Sequence, residues 1–254
     1  MKRKIFTLIM FFSVVFANSL DKKVIHVAAA ANLSYAMESL KEAFLKQNPD
    51  YDLEINLGSS GKLSTQIING APFDIFLSAN VDFAKKLKEQ GCTITDPVVY
   101  ATGKIVLFSI KKTDFKNGLE VLKDKSIKVI SIANPKTAPY GTASIEALTK
   151  NGLLNDVEKK IAYAESISQV VQQIMAAADI GFIAKSTLYA KDMEKYSKEG
   201  IYWYDVNPKL YKPIRQAMVI LSNAKGKEEV RKFYDFLLSE EGKAIFVKFG
   251  YGIE

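Results

Sequence analysis

Four short segments carry small and hydroxyl-bearing residues where an apolar run gives way to a helical pattern. They are Ala31-Asn32-Leu33-Ser34, Gly58-Ser59-Ser60-Gly61, Ala138-Pro139-Tyr140-Gly141-Thr142 and Glu165-Ser166-Ile167-Ser168. The first backbone N–H groups of a helix have no acceptor in their own helix, and that end carries a partial positive charge. Gly, Ala and Ser are small enough to let a ligand reach those N–H groups, and Ser or Asn adds a neutral side-chain donor. The chemistry this suits is the binding of an anion by hydrogen bonds. Asn32 and Ser166 are also ordinary helix-cap types, a role worth about 1 kcal/mol with no ligand involved. Capping explains each of them better when taken alone; four junctions of one kind in one chain shift the balance towards a shared site.

Other chemistries find little support. His26 is the only histidine, inside Val24-Ile25-His26-Val27-Ala28, and Cys92 is the only cysteine, in Gln90-Gly91-Cys92-Thr93 where a helix end runs into a loop. A histidine-based zinc site or a Ser-His-Asp arrangement would have to rely on His26 alone, and one cysteine makes neither an internal disulfide nor a metal cluster. An enzyme is not expected. Gly61-Lys62 superficially resembles a nucleotide phosphate loop, but that motif needs Gly five residues before Gly61 and Ser or Thr after Lys62, where the chain has Asn56 and Leu63. The formal net charge is +7, three units of it from Lys2, Arg3 and Lys4. The remaining lysines are dispersed, in pairs such as Lys85-Lys86 and Lys159-Lys160, which reads as a solvated surface and excludes a nucleic-acid groove. Beyond Arg3 the arginines are Arg215 and Arg231, so no junction holds the cation that receptors for amino acids or organic acids use to clamp a carboxylate.

The elements that must position the junctions follow from hydrophobic periodicity. Residues 24–29 read as a buried strand, and 33–47, with apolar residues at Leu33, Ala36, Met37, Leu40, Ala43 and Phe44, as a helix ending before Asn48-Pro49. Strand 53–57, a short helix 63–68 closed by Asn69-Gly70, strand 73–77 and helix 81–89 complete a β-α-β-α-β series, the mark of a parallel sheet covered by helices. A second set has strands 105–110, 128–132 and 180–183 with helices 142–150 and 167–177; strand 214–221 and helices 227–238 and 241–249 close the chain. The expectation is an α/β protein of two lobes, each a mainly parallel sheet flanked by helices. If the last segment returns to the first lobe, the chain crosses twice, near 101–104 and 209–213. Lobe 1 is then 18–102 with 213–254, and lobe 2 is 103–212. The junctions fall at the carboxyl ends of strands, where open α/β sheets bind ligands. Residues 1–17 have the layout of a secretory signal peptide: a charged start, an apolar run over 5–16 too short to span a bilayer, and cleavage after Ala17. No cysteine follows to take a lipid, so the product is expected free in a periplasm-like space.

On these residues the chain resembles the periplasmic molybdate-binding proteins of ABC transporters. The likeness runs from Val27-Ala28-Ala29-Ala30-Ala31-Asn32-Leu33 to Phe246-Val247-Lys248-Phe249-Gly250-Tyr251. Between them lie Gly58-Ser59-Ser60-Gly61, Gly70-Ala71-Pro72-Phe73-Asp74-Ile75-Phe76-Leu77-Ser78-Ala79 and Pro139-Tyr140-Gly141. Each piece is weak alone and the combination is specific. The resemblance implies a type II periplasmic-binding-protein fold with a double-crossover hinge. It further implies a monomer that holds molybdate or tungstate in the closed cleft by neutral donors and passes it to a membrane permease. The metal is then present only inside the oxyanion, and no cofactor is implied. A protein of the same fold for another small anion, a sulfate-like oxyanion or an organic acid, is the alternative. Carried over residue by residue, Asn32 and Ser60 are the side-chain donors, Asn32 standing where many members have Ser. Tyr140 and Ile167 give backbone N–H donors, and Ala31, Ser59 and Ser166 are secondary candidates. The pattern breaks at Ala184, after Ile180-Gly181-Phe182-Ile183, where many members have a Tyr whose hydroxyl reaches the anion. Either the Tyr140 hydroxyl replaces that donor or the donor is absent.

Overall fold

β1 (Lys23–Ala30) buries the whole of its second half, Val27-Ala28-Ala29-Ala30, because a strand follows on each side of it. The computed structural model in which it lies describes residues 22–254, so the export signal expected over residues 1–17 falls outside the described residues. After β1 the chain makes a short 3-10 turn, Ala31–Leu33, that runs directly into α1 (Ser34–Gln47). Next come β2 (Tyr51–Gly58), α2 (Ser60–Ile68), β3 (Ile75–Ser78), α3 (Val81–Glu89) and β4 (Val98–Gly103). The second set is β5 (Ile105–Phe108), β6 (Ile130–Ala133), α4 (Pro139–Lys150), α5 (Leu154–Val157), β7 (Ile161–Ala164), α6 (Ile167–Ala176), β8 (Ile180–Ala184) and β9 (Trp203–Asp205). The chain ends with β10 (Ile214–Ile220), α7 (Glu228–Leu238) and α8 (Glu240–Lys248).

Two five-stranded sheets result, ordered β2-β1-β3-β10-β4 and β7-β6-β8-β5-β9. In each, the three strands linked by helical crossovers pair in parallel and the remaining two pairings are antiparallel, so both sheets are mixed. The chain leaves the first sheet through Lys104 between β4 and β5, and returns through residues 211–213 into β10. The two crossing strands lie side by side, with Ile214 opposite Gly103. Among the described residues no helix is long and apolar enough to cross a membrane.

Helices cover both faces of the first sheet. α1, α7 and α8 pack on one face, where the Phe44 ring meets Phe233 edge-on with centroids 5.0 Å apart, and burial of each such ring contributes about 1.5–3 kcal/mol. α2 and α3 pack on the other through Leu63, Ile67, Ala84 and Leu87. The second sheet's core takes in Ala30, Ala31 and Ala79 from the first, so the lobes meet in apolar contact.

The differences from the sequence expectation have local causes. α2 begins at Ser60 and α4 at Pro139, each three residues earlier than the apolar spacing implies, because their first turns are built of small residues and, in α4, a proline suited to that position. β4, β7 and β9 escape the periodic pattern: β9 has three residues, and β7 is a sheet edge with the Tyr163 ring in solvent.

Candidate anion-binding site

Strand register brings the junctions together. β1 and β2 run in parallel with Ala30 opposite Gly58, so the segments starting at Ala31 and Ser59 leave the first sheet side by side. β6 and β7 match Ala133 with Ala164, which places the Pro139-Tyr140-Gly141 turn beside Ser166-Ile167 in the same way. The two sheets face each other across these ends. Between them lies a small cavity of about 10 Å³, room for about one water molecule. Its first wall consists of Ala30 to Asn32, Gly58 to Ser60 and Ala79, and its second of Ala138 to Tyr140 and Ile167. Among the described residues no charged side chain lines it.

The two walls offer different donors. On the first, the Ser60 hydroxyl oxygen accepts the Ala79 N–H at 2.9 Å, which leaves its proton free to donate. Ser59 stands at the N-cap of α2 but makes no side-chain cap bond, and its buried Oγ has no partner among the described residues. Asn32 is buried inside the 3-10 turn and caps no helix; its Nδ2 donates to Gln216 Oε1 at 2.7 Å and to the Tyr251 hydroxyl at 3.0 Å, while its Oδ1 has no partner among the described residues. On the second wall, Tyr140 and Ile167 occupy first-turn positions of α4 and α6, where backbone N–H groups find no acceptor in their own helix. Ser166 does cap: it accepts the Gln169 N–H at 3.4 Å, and it does not line the cavity. Ala31 and Ser59 line it as Asn32, Ser60, Tyr140 and Ile167 do.

Close approach depends on three glycines. A Cβ on Gly141 would overlap the Ala133 carbonyl, so the second wall's turn sits against β6 only with glycine there. A Cβ on Gly61 would come within 2.9 Å of Thr137 Cα, and the Gly61 N–H donates to the Thr137 carbonyl across the lobes at 2.9 Å. A Cβ on Gly103 would overlap the Tyr140 hydroxyl, which lies between the crossing strands and receives a 3.4 Å bond from Gln216 Nε2. That hydroxyl is therefore directed at the hinge strands. Ala184 is fully buried at the end of β8 and does not line the cavity.

The electrostatics keep the site neutral in itself. Burial raises the Tyr140 pKa well above that of a free tyrosine, with the Tyr251, Tyr100 and Tyr211 hydroxyls adding to it. Burial also pushes Tyr251 up to about 12 against the lowering effect of its bonds with Ser186 and Asn32. All these hydroxyls stay protonated and able to donate at neutral pH. At the rim, Lys62 pairs with Glu165 from one lobe to the other, and that pairing lowers the Glu165 pKa. Arg215 is engaged bidentately by Glu254 and Arg231 by Asp235. Among the described residues no cluster of three or more His, Cys, Asp or Glu side chains comes together as a metal site. His26 Nδ1 lies 3.0 Å from Glu54 on the neighbouring strand, and Cys92 is a free thiol.

Residue spacing does not reveal the supporting shell. Gln216, Ser186 and Gly103 lie far from the junctions in sequence, and Tyr251 enters only as part of a terminal landmark. One signal was available: Gln216 interrupts the apolar run of β10, and a buried amide demands partners.

Comparison with known proteins places this geometry in context. The family described as bacterial extracellular solute-binding protein matches residues 25–252. The molybdate-binding protein ModA of Azotobacter vinelandii is 35% identical over 91% of this chain and 90% of its own length, and that of Rhodobacter capsulatus is 34% identical over 89% and 87%. The solved structure of the Azotobacter vinelandii periplasmic molybdate-binding protein superposes with a TM-score of 0.83 at 32% identity, covering 91% of this chain and 99% of that one. The chain thus belongs to the bacterial extracellular solute-binding proteins, in the family that includes these molybdate-binding relatives.

Proposed function

We propose that the protein captures molybdate or tungstate in this cavity and delivers it to the membrane permease of an ABC transporter, working as an exported monomer in the periplasm. Residues 18–102 with 213–254 and residues 103–212 act as the two lobes that close on the anion. The observation that carries the reading is a buried cavity whose polar lining consists of neutral groups gathered from four helix starts, in a chain aligned with molybdate-binding proteins over nine-tenths of its length. Asn32, Ser59 and Ser60 supply side-chain groups, and Tyr140 and Ile167 supply backbone N–H groups.

Such a shell selects by geometry. Donors held at about 2.7–3.1 Å from the oxygens of one anion are left unpaired around a smaller one. Sulfate is smaller than molybdate, whereas tungstate is nearly equal to it. The backbone N–H groups at Tyr140 and Ile167 can only donate, and so disfavour hydrogen phosphate, whose own proton needs an acceptor. Closure follows from contacts made to both lobes by one ligand.

A thermal-shift panel tests the reading. Molybdate and tungstate at about 100 times their dissociation constants raise stability by about 2.7 kcal/mol, and sulfate, phosphate and glutamate leave the transition nearly unmoved. Stabilisation by glutamate or sulfate alone contradicts it, as does no response to any of the five.

A further inference from the structure

Two residues beyond Ala184, on the 3-10 turn Lys185–Tyr189, the second lobe rests on the last turn of the first. Tyr189 lies so close to Gly250 that a Cβ there would overlap its ring, and Gly250 holds a positive φ of 75° just past α8. Ser186, buried on the same turn, reaches Tyr251 and the Asn32 junction. Its Oγ donates to the Asn32 main-chain carbonyl at 3.1 Å, and the Tyr251 hydroxyl donates to the same carbonyl at 2.7 Å. The two hydroxyl oxygens are 3.1 Å apart. A main-chain carbonyl can only accept, so chemistry alone fixes the direction of both bonds.

We propose that Ser186 is a positioning residue: it clasps the Asn32 junction from the second lobe, and this buried contact sets how long the closed cleft keeps its anion. The two hydroxyls differ in what opening does to them. Tyr251 and Asn32 belong to one lobe, so their bond survives opening. Ser186 belongs to the other, so its bond exists only while the cleft is shut. A group that acts only in the closed state lengthens the life of the complex and leaves the encounter of anion and open cleft unchanged. Holding the Asn32 carbonyl also fixes the turn Ala31–Leu33, from which Ala31 and Asn32 line the cavity.

The rim carries a rival contact. Lys62 and Glu165 also span the lobes, but both side chains are about half exposed, and a solvated ion pair contributes little and is screened by salt. Ser186, Asn32 and Tyr251 are each no more than 5% exposed, so their contact is made where water and ions do not compete. Ser186→Ala leaves the Asn32 carbonyl its Tyr251 bond. No buried acceptor is orphaned, and the substitution reads out the clasp itself.

The inference rests on the oxyanion reading. Release is followed as loss of molybdenum-99-labelled molybdate after a chase with unlabelled molybdate, and the association rate follows from release and the calorimetric affinity. In Ser186→Ala, release is about three- to tenfold faster while association stays within about twofold of wild type. Unchanged release overturns the proposal, as does a loss of affinity carried by association, which marks a merely structural serine. Lys62→Gln changes release by less than about twofold; a larger effect there than at Ser186 places the clasp at the rim and overturns it too. A measurement on unsubstituted protein does not depend on the variants folding. Wild-type release moves by less than about twofold from low to high sodium chloride, because a buried neutral contact is not screened. Release that accelerates strongly with salt assigns closure to the ion pair and contradicts the proposal. Wild-type protein that retains neither molybdate nor tungstate contradicts the proposed function, and the clasp falls with it.

Discussion

The two walls of the cavity solve the same problem with different parts of the residue. The first-sheet wall offers side chains, Asn32, Ser59 and Ser60, whereas the second-sheet wall offers backbone N–H groups at Tyr140 and Ile167. Side-chain donors are oriented by partners remote in sequence: Ala79 for Ser60, and Gln216 with Tyr251 for Asn32. Backbone donors are oriented by the turn that carries them, which makes glycine and proline the residues that matter there. Substitution thus reaches the first wall directly and the second only through backbone geometry.

Gly141→Ala breaks the comparison most severely. Its Cβ would overlap the Ala133 carbonyl, and overpacking of this kind costs about 1–3 kcal/mol or more. Both the melting temperature and the calorimetric affinity fall, the latter by about a hundredfold or more, because the Tyr140 N–H is displaced with the turn.

High pH acts through the hydroxyl network behind the first wall. Tyr251 titrates near 12 when folded, against about 10 when unfolded. The unfolded chain releases this proton first, so the contribution is fully present below pH 10 and is lost as pH rises through 12. The full loss amounts to about 2–3 kcal/mol, of which about 2 kcal/mol appears in urea unfolding between pH 9 and pH 11.5. Tyr251→Phe removes its share of the loss, while Tyr100 and Tyr140, raised by burial in the same direction, keep theirs.

Ser60→Ala removes one first-wall donor and weakens molybdate binding by about 1–3 kcal/mol with little change in fold. Isothermal titration checks it, and unchanged affinity takes Ser60 out of the site.

Ser166→Ala sharpens the comparison from the other side. It deletes a helix cap outside the cavity, costing about 1 kcal/mol of stability by chemical denaturation while the anion affinity stays within about twofold.

The fold and the cavity differ in how much of them the sequence discloses. Helical spacing from Leu33 to Phe44 and the apolar strand cores show the alternating architecture, since burial on one face is imposed locally. The junction residues are legible for the same reason: small residues and hydroxyls at helix starts are a local pattern. Asn32 and Ser166 look alike in sequence, yet one lines the cavity and the other caps α6, because strand register and the depth of each turn decide which way a side chain faces. Gln216 and Gly103 belong to the site only because β4 and β10 cross between lobes side by side, a pairing that periodicity does not encode. Ala184 marks where the family resemblance and the geometry part, with the Tyr140 hydroxyl directed at the hinge strands.

The central claim is that a cavity of neutral donors selects a large tetrahedral oxyanion. Isothermal titration of the purified protein with molybdate, in buffer containing millimolar sulfate, tests it most directly. The account predicts one site per chain and an affinity that does not move as sulfate is raised. An apparent affinity that weakens in proportion to sulfate, or the absence of any heat with molybdate and tungstate, would contradict it.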